Sequence, residues 1–81
     1  MTESQKKRYE ALKEIGWELD DLHISGRMDF DSFKRLFLRG LEAAGDDTDP
    51  LEMFMPEIQD SSWLDWMTEQ LQQHHASRRV A

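Results

Sequence analysis

Between residues 29 and 45 apolar side chains return every three or four positions: Phe30, Phe33, Leu36 with Phe37, Gly40 with Leu41, and Ala44. An α-helix, at about 3.6 residues per turn, puts such a series on one face. Asp29 stands where an N-cap carboxylate accepts a backbone N–H, and Met28 and Phe33 have the spacing of a hydrophobic staple. Gly45 supplies the left-handed residue that stops a helix. Lys34, Arg35 and Arg39 fall outside the apolar face, and Leu38 points away from it. A helix with one apolar face must bury it, so matching stripes are required elsewhere in the chain.

Two more are present. Tyr9, Leu12, Ile15 with Gly16, Leu19 and Leu22 form a stripe, started by a capping box of Thr2 and Gln5 and stopped at Ser25 and Gly26. Lys6, Lys13, Glu14, Glu18 and Asp21 face elsewhere on it. Trp17 lies well off that stripe, on a side shared with Ile24, and is a candidate contact residue. Toward the C-terminus Trp63, Leu64, Met67 and Leu71 share a face that His74 continues, with Trp66 beside it and Ser61 or Ser62 as the cap. Between the second and third stripes, Asp49, Pro50 and Glu52 read as N-cap, first position and N3 of a short helix that Pro56 cuts off. The predicted fold is all-α: one domain over residues 1–81, with helices at about 3–24, 29–44, 50–55 and 62–76, the last laid across the first two, and a frayed tail at 77–81. There is no internal repeat.

A chain of 81 residues without cysteine has a thin core and no disulfide to reinforce it, so a partner, a copy or another protein, would add stability. Its net charge of −7 repels phosphates and argues against direct nucleic-acid binding. No apolar run approaches the ~20 residues that span a bilayer, and a polar N-terminus shows no secretion signal, so the expected compartment is the cytoplasm.

The charge is unevenly placed. Residues 46–71 hold eight acids, Asp46, Asp47, Asp49, Glu52, Glu57, Asp60, Asp65 and Glu69, and no lysine or arginine. The same window carries Leu51, Met53, Phe54, Met55, Ile58, Trp63, Leu64, Trp66 and Met67. Large apolar anchors among carboxylates suit docking on a basic surface, because anchors supply desolvated contact and charges steer the encounter. The expected binding residues are therefore Asp46, Asp47, Asp49, Glu52, Glu57, Asp60 and Asp65 as steering charges, with Phe54, Trp63, Trp66 and Trp17 as anchors. Small acidic anti-restriction and anti-CRISPR proteins of phages are similar in size and charge. That resemblance, of composition alone, implies mimicry of a nucleic-acid backbone toward a nucleic-acid-binding protein.

Other chemistry is thinly represented. Asp21, His23, Ser25, Gly26, Met28, Asp29 and Ser32 have the spacing of a calcium-binding loop and resemble the EF-hand family, with a helix on either side. Ser32 replaces the bidentate glutamate of that pattern and His23 a hard oxygen ligand, so the resemblance implies at most a degenerate site. His74 and His75 are neighbours, about 100° apart on a helix, and cannot face one metal together. No glycine-framed serine, phosphate-cradling glycine loop, HExxH pair or cysteine is present. The expectation is a non-enzymatic binding module, an inhibitor or regulator being one form, with no catalytic residue, metal or cofactor. A homo-oligomeric assembly protein and a degenerate calcium binder are the alternatives.

Overall fold

In a computed structural model, which describes residues 2–79, three long helices and one short one follow the order α1 (Glu3–Ser25), α2 (Phe30–Ala44), a 3-10 helix (Asp49–Glu57) and α3 (Ser61–Arg79). The all-α class read from the periodicities is what the chain adopts. The Thr2–Gln5 capping box is present with both of its hydrogen bonds. Asp29 caps α2 by accepting the Ser32 amide at 2.7 Å. Gly26 ends α1 in the left-handed region, with φ 70° and ψ 21°. Gly45 ends α2 at φ 63° but ψ −124°, outside the left-handed helical region expected of it and open to little besides glycine.

Four readings are corrected at the level of the elements. The helix after the acidic linker is 3-10 rather than α and runs through Pro56 to Glu57. Thr48 precedes it, without a side-chain cap, where Asp49 was expected to cap. The cap of α3 is Asp60, which accepts the Ser62 amide at 2.8 Å and the Ser62 hydroxyl, displacing both serines from that role. Residues 77–79 continue α3 instead of fraying, while Val80 and Ala81 lie outside the described residues. Tyr9, expected on the buried stripe of α1, is 60% exposed because it borders an open hollow beside Ala43, Ala44 and Pro50 rather than the core.

Helix α2 is the centre of the molecule. Helix α1 packs along it, α3 packs against it, and the 3-10 helix crosses both α1 and α2. No Cα of α3 comes within 8 Å of one in α1 or in the 3-10 helix, so the backbone of α3 packs on α2 and does not lie across the pair. The molecule is 38 × 26 × 16 Å, and its thinnest dimension is little more than one helix diameter of about 10–12 Å.

The core is built of rings. Phe33, Phe37 and Phe54 are completely buried, and Phe54 meets Phe33 and Phe37 edge-on at 5.6 and 5.0 Å between centroids. Trp63 stacks on Phe30 at 5.3 Å, and Trp66 meets Phe30, Phe33 and Phe37 edge-on. Offset and edge-on pairs of this kind add about 0.5–1.5 kcal/mol each beyond their burial. No polar or charged side chain is buried among the described residues.

Candidate binding cleft

A 3-10 helix has three residues per turn, so side chains three apart stand in line and the element has three edges. Leu51 and Phe54 form the first edge, both buried on α2, where the Cβ that Gly40 lacks would come within 2.8 Å of Leu51 and 3.3 Å of Phe54. Pro50, Met53 and Pro56 form the second, and the Met53 sulfur lies 3.6 Å from where Gly16 of α1 would carry a Cβ. Asp49, Glu52 and Met55 form the third, and all three are exposed.

That third edge borders a cleft. The 3-10 helix and α3 both rest on α2 without approaching each other, and a volume of about 450 Å³ remains between them. Leu51 and Met55 make one wall, Met67 and Leu71 the other, and Phe37 the floor. Asp49 and Glu52 stand at the rim. The two histidines of α3 tie down the neighbouring linker: His74 Nε2–H donates to the Gly45 carbonyl at 2.6 Å, and His75 Nε2 meets the Thr48 hydroxyl at 3.3 Å. These bonds fix the turn from which Asp49 and Glu52 project.

The carboxylates expected to steer a partner are not on one surface. Asp49 and Glu52 border the cleft. Asp47 accepts the Asp49 amide at 3.2 Å and lies beside Pro50 in a different hollow of about 510 Å³, shared with Arg8, Tyr9 and Leu12. Asp46 is exposed at the same turn. Glu57 points to α1, where His23 Nδ1 holds it at 2.9 Å. Asp60 is occupied as the α3 cap, and the Ser62 hydroxyl and then its amide hold its carboxyl below the ordinary value. Asp65 is exposed on α3, about 200° around the helix from Trp63.

The expected anchors fare worse. Phe54 is 0% exposed and Trp63 5%, so these two rings are held in the core, and Trp66 is half-buried against three phenylalanines. They fill a core too small to close without them. Trp17 is 62% exposed, but it stands on α1 with the Lys13 ammonium 5.4 Å above its ring, beside Glu18, Asp21 and Arg35. What sequence reading missed is Met55, which is 49% exposed and in line with Asp49 and Glu52. Its signal was the spacing of three that places Leu51 and Phe54 on another edge.

The stretch that resembles an EF-hand loop is mostly helix and caps. Asp21, His23 and Ser25 are all within α1; Asp21 pairs with Arg27 at 3.9 Å and Asp29 is taken up as a cap. Among the described residues no three metal-ligating side chains converge, and no helix is long and apolar enough to cross a membrane. No protein-family model, curated protein or solved structure matches the chain.

Proposed function

We propose that this protein is a non-enzymatic binding module that docks on a basic surface of another protein, through the carboxylates around the start of the 3-10 helix. The observation that carries the reading is that residues 46–71 hold eight acids and no lysine or arginine. Among the described residues Glu18 pairs with Arg39, Asp21 with Arg27 and Asp31 with Lys34, in α1 and α2 or the turn between them. Asp49, Glu52, Asp65 and Glu69 have no cation partner among the described residues. Uncompensated like charges raise the free energy of the folded chain, and a cationic partner relieves that cost while rejecting acidic competitors. A nucleic-acid-binding protein is one such partner, since its phosphate groove is a basic surface, and occupying that groove would make this chain an inhibitor.

The test is recovery of a partner from the source cell at low and high salt, comparing the native chain with one in which Asp47, Asp49 and Glu52 are changed to lysine. The expected result is a basic protein retained at low salt, released at high salt and lost with the triple reversal. Equal recovery by the reversed chain overturns the reading.

A second reading, self-association, is favoured by the face of α1 that bears Trp17 and Ile24, seven residues apart and 62% and 84% exposed. Sedimentation over a range of concentrations separates the two: a concentration-independent monomer removes the second.

A further inference from the structure

The cleft is built to take one kind of side chain. Its walls and floor are Leu51, Met55, Met67, Leu71 and Phe37, and the Thr48 hydroxyl at its edge is engaged with His75, so a polar tip pushed between the apolar walls would lose its water for little return. Its volume of about 450 Å³ lies within the ~300–1,000 Å³ typical of sites that enclose small ligands, ample for a leucine, methionine or phenylalanine side chain. Two of the wall residues are methionines, whose unbranched thioethers adapt to differently shaped apolar groups. Directly above, Asp49 and Glu52 stand three residues apart on one edge with Met55, with no cation of their own among the described residues.

We infer that the occupant is a short basic segment of a partner protein, carrying a single bulky apolar side chain between lysines or arginines. The apolar side chain enters between Met55 and Leu71, and its basic neighbours meet Asp49 and Glu52 at the rim. The inference rests on the basic-partner reading and narrows it. It excludes acidic or phosphorylated segments, which the rim repels, and a purely charged contact, which would leave the apolar walls unused. Mimicry of phosphates alone would not use Met55. Exposed apolar wall and acidic rim lie on one edge of one element, so both halves of such a segment are read in a single register.

The experiment uses two short peptides, one with a central phenylalanine flanked by lysines and one with alanine at the centre, titrated into the isotopically labelled full chain at low salt. Amide shifts are expected to concentrate at 49–55 and 67–71, and the phenylalanine peptide is expected to bind at least about tenfold tighter, as burial of one bulky side chain implies. Met55→Ser, at an exposed position, should shrink that gap with an unchanged melting temperature. If both peptides bind alike and the double variant Asp49→Asn, Glu52→Gln weakens both, the basic-partner reading stands and the cleft inference falls. Failure of both peptides to bind overturns the two together. Concentration-dependent shifts at the same residues without peptide would make a second copy of the chain the occupant and overturn a foreign one.

Discussion

Two glycines of similar appearance in the sequence have opposite tasks. Gly16 and Gly40 both interrupt a helix at a cost of about 1 kcal/mol relative to alanine. At Gly16 a Cβ would make ordinary contact with Met53 at 3.6 Å, so Gly16→Ala should recover that propensity and raise the melting temperature by a few degrees. At Gly40 the new methyl would sit 2.8 Å from Leu51 and 3.3 Å from Phe54, both buried, and overpacking of this kind costs about 1–3 kcal/mol. Gly40→Ala should therefore lower stability by on the order of 1 kcal/mol net, and a rise in its urea midpoint would refute the close approach of the 3-10 helix to α2. The tryptophans divide in the same way. Trp17 is exposed, while Trp63 is buried and Trp66 half-buried, so Trp17→Phe should remove most of the acrylamide-quenchable emission. Quenching that survives this change would put Trp63 or Trp66 outside the core.

At the scale of the elements, the starts and stops of α1 and α2 were legible because each is local chemistry: Thr2 with Gln5, Asp29, Gly26 and Gly45 all act within a few residues of themselves. Aromatic destination is not local. Nothing between residues 61 and 67 distinguishes a tryptophan that stacks on Phe30 from one that faces a partner, since the deciding residue is half a chain away. The short helix differs for another reason: Pro50 at its first position and Pro56 at its end suit a short α-helix, whereas the chain adopts the tighter winding through Pro56 and lines up Asp49, Glu52 and Met55. The acidic window was visible from the sequence; the cleft was not, because it exists only where two elements lean on a third. Helix starts also carry a pH signature. Ser32, through its amide and then its hydroxyl, holds Asp29 below the ordinary value of 3.8, as Ser62 holds Asp60. A carboxyl depressed by folding contributes stability above its unfolded value and loses it as pH falls through the folded one. Denaturant midpoints should thus fall more steeply below about pH 4 for the native chain than for Asp29→Asn with Asp60→Asn, which keep a cap but no titration. Parallel acid limbs would count against both caps.

Over the whole molecule, net charge and a slab-like core act against each other. A domain of this size retains only ~3–5 kcal/mol of stability, and a charge of −7 spread over a body 16 Å thick lowers it by self-repulsion. The exposed pairs Glu18–Arg39, Asp21–Arg27 and Asp31–Lys34, each worth about 0–1 kcal/mol, offset little of this. Replacing Asp49 and Glu52 by lysine moves the charge from −7 to −3, two per reversal, at exposed positions outside the core. Relief of this repulsion should let the doubly reversed chain melt at a higher temperature than the native one in low salt, with the difference shrinking as salt screens it, and if the two carboxylates serve a cationic partner, binding of basic segments is lost at the same time. Thermal melts at low and high ionic strength read the first effect and peptide titration the second. A reversed chain that is less stable at low salt would mean that Asp49 and Glu52 have a structural task in the fold, and the binding assignment would lose its energetic basis.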